Sequence, residues 1–587
     1  MKKSSRVISF AVAVALIISS SAFGVLASDN SFKEKLQNIT AKGLEFTIDS
    51  LLSAVARVLP DGDNIFDADK YDGGDCFFSG SGDFRDPSAC VGQWSLGSSS
   101  ASLVPDDYNE KTYYLGGYLM AENGFNNSVE SVIDDMRVRA IAVDDSQVTA
   151  VFATIDCIGI TNKDIRKIRK QLVEKAGDDY SFSGIIITST HAHSGIDTEG
   201  LWTNVVKKAP KNIFKSLLRI GNLETGTDSD YMEFLYGKVS DAMLEACEKM
   251  EVGTMTFASK DISKKYFQNR NRPTNSSLIT NLNRLVFTPD NADSTPTMIV
   301  NIAAHPDVAG MPTSDGQSSG RQISGDYIYY AGEIINESGY DFMFFNGAIA
   351  GIYMARGATN DGLDSTFDGR YCQSKRYGHE IGRMALALNL TVEQIEQDSI
   401  LADQDTIAAE SAIGGDKYTL WYEGWTPVLE TDVSPCLNLR FSEVRIEVTN
   451  PLMRAVGKIN LVSYDILKES GRYYFVTEIG YMQLGNDVKI ALMPGEICQD
   501  LVVGGSSLTA DGSFSGKPFS GKTIEQIFGE GTIAFGLAND AIGYVVPDND
   551  YCLCGVFDHY QELISVGGKA ASTLMAGYEA LADEYLK

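Results

Sequence analysis

A short β-branched apolar run, Ile185-Ile186-Ile187-Thr188, leads into His191-Ala192-His193 and a small-residue turn, Ser194-Gly195. A continuous apolar run of this length predicts a buried strand, which needs packed layers on both of its faces. It also puts two of the chain's five histidines at the strand's carboxyl end, where α/β proteins usually carry their chemistry. Alternate side chains share a face in extended backbone, so His191 and His193 are expected to point the same way. Two converging imidazoles suit zinc. The competing reading is a pair of hydrogen-bonded structural histidines.

Neighbouring segments supply partners for that strand. Residues 138–143 (VRAIAV) and 148–155 (VTAVFATI) flank a DDSQ turn and predict a β-hairpin. Asn162 to Lys175 predicts an amphipathic helix with Ile165, Ile168 and Leu172 on one face. Strand, helix, strand gives a right-handed unit with parallel strands, which brings Asp156 and His191 to one sheet edge. The pattern recurs where Met298 to Ala303 leads into His305-Pro306-Asp307, and Phe342 to Phe345 into Asn346-Gly347-Ala348. Ser324-Gly325-Asp326 opens a helix, and residues 370–393 form another that carries His379 as a structural residue. Residues 400–490 are strand-rich, with a long hairpin around Gly471. The fold class is α/β: a large layered domain of mixed β-sheets and flanking helices, its active site at strand carboxyl ends.

At the N-terminus Lys2, Lys3 and Arg6 precede an apolar stretch, Phe10 to Ile18, and Val25-Leu26-Ala27 offers a cleavage site. This is the pattern of a secretory signal peptide cut after Ala27. No later run is long enough to span a bilayer, so a secreted, extracellular protein is expected. The expected organisation is a signal peptide at 1–27, a helical and Gly/Ser-rich extension at 28–105, and a catalytic domain at 106–587. Leu44, Ile48, Leu51, Val55 and Val58 recur at helical spacing before Pro60, and residues 61–105 read as irregular surface structure. The formal net charge of −29 excludes nucleic acid as a partner and repels anionic membrane surfaces. The nine cysteines include no CxxC motif, which removes a thiolate zinc finger. Cys157 and Cys247 read as buried thiols, and export permits a disulfide between Cys76 and Cys90. Residues 200–225 are locally basic and apolar, reading either as a surface helix or as a lid for an apolar substrate.

A catalytic zinc takes three or four protein ligands and keeps a position for water. His191, His193 and His305 all follow strands. Glu496, after the strand ending at Met493 and a Pro494-Gly495 turn, is the best carboxylate to complete a set. Asp156 and Asp326 are alternative ligands, or groups that orient the imidazoles.

These residues also fall in a recognisable order. STHAHSG (189–195) resembles the THTHSG segment of the neutral, non-lysosomal ceramidases, zinc-dependent amidases of sphingolipid metabolism. Asn269-Arg270-Asn271-Arg272-Pro273, Asn301-Ile302-Ala303-Ala304-His305-Pro306, Ile323-Ser324-Gly325-Asp326, Pro494-Gly495-Glu496 and Gly536-Leu537-Ala538-Asn539 through Tyr544 resemble further motifs of that family, in order. The resemblance implies that His191, His305, Glu496 and Tyr544 hold one zinc ion (Zn2+), while His193 faces the substrate or assists proton transfer. It implies that Arg272, with Arg270 as fallback, hydrogen-bonds a polar head or the oxyanion. Tyr560, in Asp558-His559-Tyr560, matches a second active-site tyrosine. The chain departs from the family where a catalytic serine is expected. There the stretch reads Phe345-Asn346-Gly347-Ala348-Ile349-Ala350-Gly351-Ile352-Tyr353-Met354, with Tyr353 at or near the serine position.

The resemblance thus implies a secreted zinc-dependent hydrolase that cleaves the amide bond of a small-molecule or lipid N-acyl substrate, a sphingolipid among them, with zinc-activated water. Two alternatives stay open. One is a two-metal hydrolase using Asp156, His191, His193, His305 and Asp326. The other is a catalytically silent secreted binding protein that keeps the family fold.

Overall fold

The computed structural model describes residues 49–586 apart from 51, 72–73, 75, 118–126, 204, 272–275, 310–319, 356–366, 404–419 and 554–560. The expected signal peptide, Arg272 and Tyr560 lie outside the described residues.

Two mixed sheets stack face to face, with helices on both outer sides. The larger has nine strands, in the order Asp341–Asn346, Thr297–Ile302, Asn281–Pro289, Glu251–Asp261, Trp94–Ser102, Arg137–Asp144, Thr149–Ile155 and Gly184–Ser189, with Thr431–Asp432 paired to Glu251–Asp261. The smaller has six, built on the hairpin Ile466–Glu469 and Arg472–Leu484 and continuing through Val488–Leu492 to Ile533–Phe535. Side chains of alternating parity explain the layering. Phe152, Ile186, Met343 and Phe345 point inward from the large sheet against Leu439, Met482, Ile490 and Phe535 of the small one. The opposite parity, Val151, Ala153, Ile185 and Ile187, packs outward under the helices Asn162–Ala176 and Ser229–Glu248. The far side of the small sheet is covered by the helix Ala570–Tyr585 through Leu574 and Tyr578. Both sheets are therefore apolar on two faces, as near-continuous apolar runs require.

The expected elements around the first histidine pair are present. Arg137–Asp144 and Thr149–Ile155 form an antiparallel hairpin, and Thr149–Ile155 pairs in parallel with Gly184–Ser189. The crossover helix buries Ile165, Ile168 and Leu172 and is capped by the Thr161 side chain, which accepts from the Asp164 amide. Arg169 of that helix reaches between the layers to a two-bond pair with Glu478 of the small sheet, at 2.9 and 2.8 Å. His379 sits in the helix Phe367–Leu386 with its ring against Tyr330. No described helix is long and apolar enough to cross a membrane.

Two expectations are corrected. Residues 61–105 are not wholly irregular, because Trp94–Ser102 is a central strand of the large sheet. Its glycine is small for a packing reason: a Cβ at Gly97 would meet the Ala246 carbonyl oxygen at 2.2 Å, where the end of the helix Ser229–Glu248 crosses. Cys90 is bonded to Cys436 across 346 residues, not to Cys76. Sequence neighbourhood carries no information about a partner that folding brings in from so far along the chain.

Candidate metal centre

Four of the expected side chains meet where the strands end. Gly184–Ser189 delivers His191 and His193, Thr297–Ile302 delivers His305, and the turn after Val488–Leu492 delivers Glu496 in a two-residue strand paired with Tyr544. All five residues are buried. The rings of His191 and His305 meet edge to face with centroids 4.7 Å apart, and His193 lies 4.8 Å from His191. Donor atoms of the three histidines fall within 4.8 Å of one another, a grouping that could hold a metal ion. Glu496 Oε2 lies 3.3 Å from His191 Nε2 and 3.0 Å from His305 Nε2.

The tautomers follow from the surroundings. His191 Nδ1 is 2.6 Å from the Ile158 carbonyl oxygen and His305 Nδ1 is 2.8 Å from that of Ile352. A carbonyl only accepts, so each Nδ1 carries the hydrogen, and Nε2 of the neutral ring presents a lone pair. Two lone pairs aimed at a carboxylate oxygen repel unless a positive charge sits among them. Without a metal that charge is a proton. Burial would lower the His305 imidazole, but the Glu496 carboxylate outweighs it and raises it. Burial would likewise raise Glu496, but His191 and His305 hold it well below the ordinary carboxylate range. Apart from its 3.3 Å approach to Glu496, the buried His191 Nε2 has no hydrogen-bond partner among the described residues. Two donors on one tetrahedral zinc, at bond lengths of about 2.0–2.2 Å, are separated by about 3.3 Å. The observed 3.0 and 3.3 Å therefore fit a small tetrahedral ion.

The histidine pair does not converge by strand alternation as expected. The strand ends at Ser189, and His191 has a left-handed backbone, φ 68°. That turn swings its ring across His193 instead of alongside it. Asp326, Leu537 and Asn539 also have positive φ, and Leu537 and Asn539 clasp the same strand: Ser189 N–H donates to the Leu537 carbonyl and Ile187 N–H to Asn539 Oδ1. Left-handed non-glycine backbone is costly and concentrates at functional sites. On the other side Gly117, φ 104°, lets the chain pass against His193, since a Cβ there would lie 2.7 Å from the ring.

Asp156 and Asp326 do not join the cluster. Asp156 accepts from Arg139 Nη1 at 2.8 and 2.9 Å and from the Arg137 amide. Asp326 Oδ2 accepts from the Val308 and Ala309 amides and Oδ1 from Ser374. The carboxylates that a second metal would need are engaged elsewhere.

Tyr353 lies in the short strand Ile352–Met354, its ring stacked on His305 at 4.5 Å, with the Arg270 guanidinium 4.3 Å from the Tyr353 ring centroid. Sequence reasoning missed Glu199. This buried carboxyl accepts from Trp202 Nε1 at 3.1 Å and is pushed up to about 8 by burial and by the neighbouring Asp197 carboxylate. Its only sequence signal was an acid eight residues after His191, in a loop of small residues.

No protein-family model matches the chain, and no curated protein matches its sequence. Solved structures do. The chain is similar to neutral ceramidase from Pseudomonas aeruginosa at a TM-score of 0.53 and 12% identity, over 84% of this chain and 75% of that one. It is similar to a ceramidase complexed with C2 at a TM-score of 0.50 and 13% identity, with the same coverage. At such identities the likeness is one of fold, and the fold of this chain is ceramidase-like.

Proposed function

We propose that this protein is a secreted, zinc-dependent amidase acting on a lipid N-acyl substrate, with a ceramide as the first candidate. The observation that carries the reading is the convergence of His191 Nε2 and His305 Nε2 on Glu496 Oε2 at 3.3 and 3.0 Å inside a ceramidase-like fold. In this reading His191, His305, Glu496 and Tyr544 hold the zinc. When bound, zinc polarises a carbonyl and lowers the pKa of a coordinated water toward about 7. The Ile158 and Ile352 carbonyls fix the two rings by accepting from Nδ1. His193 or Tyr560 would hold a proton for the departing amine, and Arg272 and Tyr544 would donate to the developing oxyanion. Tyr353, stacked on His305, positions that ligand and does not replace the serine as a nucleophile.

The test is metal analysis of the purified chain with turnover on a panel of N-acyl sphingosines and simpler N-acyl amides. About one zinc per chain is expected, with metal and amide cleavage lost together in His191→Ala. A chain without stoichiometric zinc, whose activity His191→Ala leaves unchanged, ends the proposal. Tyr353 in place of a serine favours one second reading, a silent binding protein. That reading predicts bound metal without turnover on any member of the panel.

A further inference from the structure

The helix Val205–Leu218 is apolar on two opposite sides. Its inner side, Ala209 and Ile213, is buried against Val55 of the helix at residues 52–58, against Leu59 just after it, and against Ile459 and Leu461. Its outer side runs Pro210, Phe214, Leu218 at intervals of four residues, all exposed, and intervals of four lie on one stripe. Phe214 is 58% exposed, Leu218 43%, Ile220 just beyond the helix 49%, and Val58 on the adjoining helix 57%. Most large apolar side chains left in water stand singly, and single ones need no explanation. Phe214, Leu218 and Val58 lie on two helices that share a core, and Ile220 follows one of them by two residues.

The charge around them is opposite to that of the whole chain. A cleft of about 630 Å³ between the two helices is lined by five basic side chains, among them Arg57, Lys215 and Arg219, against Asp61 and Asp63. Lys215 is shared with Glu224, while Arg57 and Arg219 are exposed and make no ion pair among the described residues. Arg219 stands in left-handed backbone, φ 53°, at the end of the helix, where its amide donates to Ser216. Glycine is the usual residue in that conformation, so keeping an arginine there favours its side chain at the expense of the backbone.

We propose that this surface docks the protein on an anionic lipid bilayer, with Phe214, Leu218, Ile220 and Val58 entering the headgroup boundary and Arg57 and Arg219 meeting lipid phosphates. An apolar stripe flanked by arginine and lysine has the composition of an interfacial helix. On a chain of net charge −29 such a patch also sets the orientation, because the remaining surface is repelled. The surface requires neither metal nor turnover.

The test is flotation of the full mature chain with phosphatidylcholine vesicles, with and without phosphatidylglycerol, at low and high salt. Binding is expected only with phosphatidylglycerol and is expected to weaken with salt. Phe214→Asp with Leu218→Asp should weaken it at least tenfold, and Arg57→Gln about fivefold. Arg219→Gly separates docking from folding: it should raise thermal stability by relaxing the backbone while weakening vesicle binding about fivefold. Equal binding to both vesicle types overturns the proposal, as does binding that survives the double substitution in a variant of unchanged circular dichroism. Failure to float, combined with self-association that the double substitution abolishes, would make the patch a protein contact and also overturn it.

Discussion

The sharpest test of the site's stoichiometry is made at a residue that sits beside the histidines without joining them. Asp156 and Arg139 are both buried, with side chains 0% and 4% exposed. Burial pushes the Asp156 carboxyl up and the Arg139 guanidinium draws it back down. The guanidinium nitrogen spans both oxygens at 2.8 and 2.9 Å, and Asp156 also accepts from the Arg137 amide at 3.0 Å. Asp156→Asn keeps the shape and one acceptor but leaves a buried cation without its counter-charge. Breaking such a pair from one side costs about 3–5 kcal/mol. Retention of the acceptor places the expected loss near the lower end, about 3 kcal/mol. Removing the cation as well, in Arg139→Met with Asp156→Asn, should restore most of that loss, for a coupling of about 2–3 kcal/mol. The assay is urea unfolding followed by tryptophan fluorescence, with metal content measured on the same samples. Metal per chain should be unchanged in both variants. A coupling below about 1 kcal/mol would refute the buried-pair account. A folded Asp156→Asn protein that had lost metal would show the carboxylate to be a ligand, as a two-metal site requires.

Other expectations follow from the same geometry. Tyr353→Phe keeps the ring stacked on His305 and should leave metal affinity and turnover nearly unchanged, whereas Tyr353→Ala should weaken metal binding about tenfold; loss of turnover in the Phe variant alone would show that the phenol takes part. Asp134, held by Ser324, Tyr330 and the Gly325 amide, is pushed up by burial from 3.8 to about 7. The folded chain therefore keeps a proton that the unfolded chain releases, so this group's contribution is full below about pH 4 and is lost as pH rises toward 7. Asp134→Asn should flatten that part of the stability profile, by at most about 4 kcal/mol, in unfolding measured from pH 4 to 8. Non-reducing digestion should yield a peptide pair linking Cys90 to Cys436, and Cys436→Ser should cost about 4 kcal/mol, read as a lower urea midpoint.

Much of the site's framework was legible because it depends on local pattern. Ile185 to Thr188, Met298 to Ala303 and Phe342 to Phe345 are covered on both faces, so their apolar character is continuous and their ends are sharp. Residues that follow such strands are placed by the sheet, and this is why His191, His305 and Glu496 could be grouped before any coordinates. What was hidden depends on distant neighbours. Trp94–Ser102 reads as a polar loop in part because its glycine answers to a helix some 150 positions later. The partner of Cys90 and the engagement of Asp156 with Arg139 are likewise set by sheet register. The left-handed turn at His191 has little sequence signal, since even histidine, which is enriched at positive φ among non-glycine residues, adopts it uncommonly.

That turn also bears on how this chain would respond to selection. Left-handed backbone costs a non-glycine residue about 1–2 kcal/mol, and His191, Asp326, Leu537 and Asn539 each carry it within or beside the strand ends. A library screened only for heat resistance should therefore enrich glycine at position 191, where the side chain supports the centre and not the scaffold, and empty the centre while improving the fold. His191→Gly should melt higher than His191→Ala although both remove the imidazole. Thermostable variants of this protein are better sought away from residues 187–195 and 536–544, where robustness and the histidine cluster draw on the same backbone.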